Sequence, residues 1–244
     1  MRGFLLLIAL LVCATSAGAN DAHWLGHARL FTNDWLGDGQ DRWRSGSYGV
    51  SLVRGREWNG RNPEHFGSLI EFRVRNEIIA PSNLADPVIG TDRPYAGILQ
   101  FGVFSHLRRG KTDITLGLDL VATGPQTGIG FFQSSVHNFF GMDPVAILGS
   151  QIPNAIHPAL SAAMARDFRL THGDERRVVL RPFAEVEVGV ENLVRVGGDL
   201  TFGDAGKGDF QVRDPSTGHR STAIRGERRQ GLSFLLGADV ALVR

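Results

Sequence analysis

Ile70–Ile78, IEFRVRNEI, decides the fold. Ile70, Phe72, Val74 and Ile78 fall on one face of an extended chain, and Glu71, Arg73, Arg75 and Glu77 on the other. Four ionisable groups of mixed sign share one strand face, as if to pair with one another. The same scheme recurs in Lys111–Ala122, where Ile114, Leu116, Leu118 and Leu120 oppose Asp113, Thr115 and Asp119. It recurs again in Phe183–Glu191, Val194–Phe202 and Leu232–Val243. In a sandwich the apolar face is the core and the charged face is wet. In an outer-membrane barrel the apolar face meets lipid and the charged face lines a polar lumen. Periodicity alone does not separate the two.

Residues 1–19 favour the barrel. Arg2, an apolar run from Phe4 to Cys13 and the small residues Ala17-Gly18-Ala19 read as a signal peptide, with the mature chain starting at Asn20. Removing it removes Cys13, the chain's one cysteine, so an exported domain of residues 20–244 must hold together without disulfides. Losing Arg2 leaves 25 basic against 25 acidic residues, a balance that gives no footprint for nucleic acid. After the signal no apolar run approaches 18 residues, which excludes a helical span but not a barrel.

Alternation places strands at 24–33, 43–54, 68–79, 94–108, 111–123, 158–170, 177–190, 193–203 and 231–243. Arg109-Gly110 is a tight hairpin turn. If the strands run up and down, the connections 34–42, 80–93 and 124–157 share one rim. Segment 204–230 is polar and glycine-rich, with a strand-like piece at Phe210–Val212. It either hides another strand or marks a miscount.

One helix interrupts the strands, in GPQTGIGFFQSSVHNFFGMD, Gly124–Asp143. Ile129, Phe132, Val136, Phe139 and Phe140 recur at helical spacing, Gln133 and His137 share a polar stripe four residues apart, and Gly141 is the stop. A bland reading makes it a connector with a surface histidine. The strand parity, however, brings it to the rim that also carries Asn33, Asp34, Asp38 and Asp41 from the first loop and Asp92 and Arg93 from the second. Clustered carboxylate and amide oxygens on this rim, Asp143 from the helix segment among them, suit a hard cation such as Ca²⁺. The spacing is not an EF-hand, and neither GxSxG, HExxH nor a phosphate loop is present. A histidine beside a cation suits ester hydrolysis by activated water. Ser134, three residues before His137, leaves open a serine esterase instead.

Asn33-Asp34 after the first strand, Asp92-Arg93-Pro94-Tyr95-Ala96-Gly97 opening the fourth, and Gly124-Pro125 followed by Gln133 and His137 resemble the outer-membrane lipid A 3′-O-deacylases. The late strand GLSFLLGADVALV also looks like that family. The resemblance implies an all-β, antiparallel transmembrane β-barrel, twelve-stranded in the family with about nine strands countable here, and one short helix in a rim loop. It implies a Gram-negative outer-membrane enzyme that uses Ca²⁺ to remove the 3′-linked acyloxyacyl group of lipid A, or lipopolysaccharide. By the same resemblance His137 is the general base, Asn33 and Asp34 belong to the metal or oxyanion site, and Gln133 belongs to the motif. Ser45 takes the place of a family threonine. A family lysine on the third strand has no counterpart, because RNEIIAP offers Arg75 and Glu77. Family members continue past the GADVA strand, so residues 20–244 are expected to be short at the C-terminus. A barrel that no longer catalyses and serves a structural or transport role is the alternative reading.

Overall fold

A computed structural model of the chain describes residues 21–33, 43–86, 92–171, 177–215, 217–226 and 232–244. The signal-peptide assignment lies outside them. The strands are β1 (His23–Asn33), β2 (Trp43–Gly55), β3 (Leu69–Ala80), β4 (Ala96–Arg109), β5 (Thr112–Thr123), β6 (Ala155–Arg166), β7 (Phe168–Arg169), β8 (Val178–Val188), β9 (Leu193–Phe202), β10 (Phe210–Arg213), β11 (Arg220–Ile224) and β12 (Phe234–Val243); among the described residues one α-helix, α1, spans Ile129–Phe140. Nine strands pair in the order β1-β2-β3-β4-β5-β6-β8-β9-β12, every pair antiparallel, and β7 continues the line of β6 along β8. The sheet curls into a half-barrel with β1 and β12 at its two edges. Each of the nine expected strands is present, within a few residues of its expected ends.

Burial settles the question that alternation leaves open. On β3 Glu71, Arg75 and Glu77 are buried, Glu71 completely, while Val74 on the opposite face is exposed. Asp119, Arg195 and Asp199 are likewise buried, and Leu116, Val186, Val194, Val196 and Leu236 are exposed. Charged residues inside and apolar residues outside are the order a lipid-facing barrel requires. Inside, Glu71 receives Arg73 Nε at 2.7 Å and the Ser51 hydroxyl at 2.6 Å, and lies 2.9 Å from His106 Nε2. Arg75 meets Glu77 at 2.8 Å, and Arg181 bridges Asp113 at 2.9 Å and Asp167 at 2.7 Å.

The described residues of segment 204–230 form not another wall strand but a hairpin. β10 and β11 pair only with each other and occupy the concave side of the half-barrel. Phe210, Val212, Ala223 and Ile224 pack against Ala28, Val53 and Leu69 of β1 to β3. The hairpin backbone comes so close to β1 that a Cβ on Gly26 would stand 2.1 Å from the Ala223 carbonyl oxygen. Its charges complete those of the wall: Arg213 and Arg220 reach Asp199 at 2.5 and 3.1 Å, Asp214 reaches Arg75 at 3.3 Å, and Arg195 donates to the Pro215 carbonyl. The Arg213 guanidinium also lies 3.8 Å from the Phe183 ring centroid.

Removing one member of a buried ionic cluster strands the others. Glu71→Ala is therefore expected to cost about 3–5 kcal/mol, read as a lowered urea midpoint for the protein folded in lipid vesicles. Val74→Ala, on the lipid face, is expected to cost far less.

Candidate functional site on the outer wall

Asn33 pairs with Gly46, Gly46 with Ile78, and Ile78 with Gly97, so one row of residues crosses the rim ends of β1 to β4. Directly paired residues point to the same face. Ile78 shares the outward face of β3 with Val74, so the whole row faces outward, away from the lumen. Two of its four members are glycines. Asn33 Nδ2 lies 3.5 Å from where a Cβ on Gly46 would stand. A Cβ on Gly97 would stand 2.8 Å from Ile129 Cβ and 2.9 Å from Thr127 Oγ1. Without these side chains the row forms a shallow groove in the outer wall, about 14 Å from Asn33 to Gly97 at the usual strand spacing, and Ile129 and Thr127 fill its Gly97 end. Helix α1 lies over the ends of β3 and β4.

The motif residues build the seat for this helix. Tyr95, almost wholly buried, forms a small core with Val145 and Ile147, against which Ile78, Leu84 and Leu148 pack. The Gly124 N–H donates to the Gly97 carbonyl at 3.2 Å, and the Thr127 hydroxyl to the Gly124 carbonyl at 2.8 Å. Pro125–Thr127 forms one 3₁₀ turn that delivers the chain into α1. Gly141 ends α1 as expected, in the left-handed region at φ 67°, and the Met142 N–H caps the His137 carbonyl at 2.9 Å.

Ile129, Gly130, Gln133 and His137 are the buried residues of α1. The polar stripe is thus the inner one, and the surface-histidine reading is replaced by a histidine packed inside. His137 Nδ1 lies 2.7 Å from the Asp143 carbonyl oxygen. A carbonyl can only accept, so Nδ1 carries a proton, and in the neutral ring Nε2 carries the lone pair. The bond joins the helix end to the chain just beyond its cap, fixing the ring. Gln133, one turn earlier, is buried with Oε1 lacking a hydrogen-bond partner among the described residues. Ser134 is half-buried, and the His137 Nδ1 bond goes to the Asp143 backbone rather than to it.

Not every candidate gathers here. Asp34, Asp38 and Asp41 lie outside the described residues. Asp143 contributes its carbonyl, and its exposed side chain is not placed on a cation by any described neighbour. Among the described residues no group of three or more His, Cys, Asp or Glu side chains could hold a metal ion. Asp92 braces its own loop. It accepts from the Ser82 N–H at 2.9 Å and from Arg93 Nε at 3.0 Å, and the Ser82 bond, foremost, holds its carboxyl below the usual range. Ser45 is buried and sits in a bulge, at the step where the register passes from Arg44 to Gly46.

That bulge has a consequence that alternation cannot foresee. Simple parity puts Arg44 on the lipid side with Tyr48 and Val50. The bulge turns it inward, where it binds Glu77 at 2.8 Å and reaches across the rim to Glu191, beyond β8, at 2.7 Å. The region without a lysine therefore carries a cation from the neighbouring strand.

A family model described as "Outer membrane protein LpxR" matches residues 4–244. Among solved structures, LpxR from Salmonella typhimurium is similar at a TM-score of 0.68 and 17% identity, covering 90% of this chain and 77% of that one. At that identity the likeness carries the fold. Among curated proteins none matches significantly.

Filling the groove at Gly97 tests the seating of the helix. Gly97→Val is expected to displace α1 at a cost of about 1–3 kcal/mol while the barrel stays folded. Hydrogen exchange should then rise roughly tenfold or more in the amides of 129–140, with the amides of β5 and β6 unchanged.

Proposed function

The chain belongs to the LpxR family of outer-membrane proteins, and from that premise we propose that it is a carboxylic ester hydrolase that removes the 3′-linked acyloxyacyl group of lipid A. The observation that carries the reading is the buried pair Gln133 and His137 on the wall side of α1, with the His137 tautomer set by the Asp143 carbonyl. The groove faces outward, toward lipid. A substrate that is itself a membrane lipid can enter it sideways, with its acyl chains still in the bilayer.

In this mechanism His137 Nε2 takes a proton from water as the water oxygen bonds to the ester carbonyl carbon. Negative charge collects on the former carbonyl oxygen. The proposal assigns donors to it: the Gln133 amide from the helix and, through the resemblance, the Asn33 amide and the Ser45 hydroxyl. The tetrahedral intermediate then collapses, the bond to the sugar 3′ oxygen breaks, and the imidazolium returns its proton to the leaving oxygen. A free acyloxyacyl acid and a 3′-hydroxyl result. Calcium belongs to the proposal through the resemblance, with Asp34 and Asn33 as its ligands. Asp34 lies outside the described residues, and calcium, where bound, would stabilise charge on the ester oxygen.

Mass spectrometry of lipid A from a Gram-negative host expressing the chain tests the activity. Loss of one acyloxyacyl mass is expected, falling about 10²–10⁴-fold in His137→Ala and about 10²-fold or more in Gln133→Ala. Chelation with EDTA should stop the reaction and added Ca²⁺ restore it. A folded, heat-modifiable protein that leaves lipid A intact would select the non-catalytic barrel. Trapping by a serine-directed phosphonate would select a serine nucleophile.

A further inference from the structure

Helix α1 has a second face that the site does not use. Phe131, Phe132, Phe139 and Phe140 are 79%, 61%, 83% and 69% exposed. At 100° per residue they lie on one side of the helix with the half-buried Val136, and Ser135 is the polar residue among them. The Ser135 hydroxyl is turned back onto the Phe131 carbonyl at 2.8 Å, which satisfies it without water. Phe139 and Phe140 pack edge to face at 5.0 Å, against each other rather than against the barrel. Four large aromatic side chains standing free on twelve residues would be costly in water.

The position of the helix says what covers them. Its inner face rests through Ile129 on Gly97, on the outward face of the wall. Further down the same face β3 presents Val74 and β4 presents Phe101, both exposed. In an outer-membrane protein that face is already in contact with acyl chains. The phenylalanines therefore extend an existing lipid interface around the helix.

We propose that α1 is a membrane-immersed helix whose Phe131, Phe132, Phe139 and Phe140 face is seated among lipid acyl chains, with its Gln133 and His137 face closing the wall groove. The seat holds the groove at the depth where an acyl ester meets a headgroup, so the helix positions the site for a lipid. The inference rests on the outer-membrane location and not on the hydrolase reading.

The chain beginning at Asn20 has no cysteine, so single spin labels are straightforward to place. Phe131→Cys and Phe139→Cys carry the label on the aromatic face, and Lys111→Cys carries it in the β4–β5 turn at the opposite end. Each variant is folded into phosphatidylcholine vesicles, and collision with oxygen is compared with collision with a water-soluble nickel chelate. Both helix labels are expected to favour oxygen by several-fold, and the turn label to favour nickel. Nickel-dominated collision at positions 131 and 139 would put the face in water, and exclusion of both reagents would put it against protein. Either result overturns the proposal. Since no catalysis is measured, failure here is distinct from failure of the deacylase reading. Should one labelled variant not fold, Phe132→Cys and Phe140→Cys repeat the test on the same face.

Discussion

Glu71 has no accessible surface, yet its carboxylate sits among Arg73, His106 and Ser51. This arrangement is imposed from outside. A strand whose other face is immersed in hydrocarbon must put all its ionisable groups on the concave side, and there they are costly unless they meet one another. Ions on neighbouring strands pair because the antiparallel register sets them side by side. The hairpin β10–β11 answers the same demand, since it fills the concave side with apolar side chains near β1 to β3 and supplies Arg213, Asp214 and Arg220 where the wall carries Asp199 and Arg75.

The candidate site is built by subtraction as much as by addition. Gly46 and Gly97 remove side chains from a row that otherwise faces lipid, and the opening so made is roofed by a helix. The polar groups of that helix are inside, against the wall, and its aromatic groups are outside. For a water-soluble protein this would be inside out. For the proposed deacylase it would be the consistent arrangement, because an ester held near the membrane plane would there meet water and a base.

Much of this was legible before any coordinates. Period-two alternation located all nine wall strands, and the proline-bearing segments marked the connections. The spacing of Gln133 and His137 placed both on one stripe of a helix ending at Gly141. Two features lie beyond alternation. Parity brings Asp92 to the rim, and packing gives its motif a second role: Asp92 ties the loop to Ser82 while Tyr95 and Gly97 carry the helix. Parity alone assigns Arg44 to lipid, and a single bulged residue, Ser45, reverses that assignment.

The sequence by itself determined which residues share a face, because side-chain direction along a strand or helix follows from backbone geometry alone. It could not determine which face is inside. Alternation is symmetric between a sandwich and a barrel, and an amphipathic helix reads the same whether its apolar or its polar side is buried. Only the tertiary structure decided that, by curling the sheet with its charges inward and laying α1 on the outer wall with His137 toward the protein. The same long-range pairing decided that residues 33, 46, 78 and 97 form one row. Register between strands depends on contacts tens of residues apart, which no local pattern encodes.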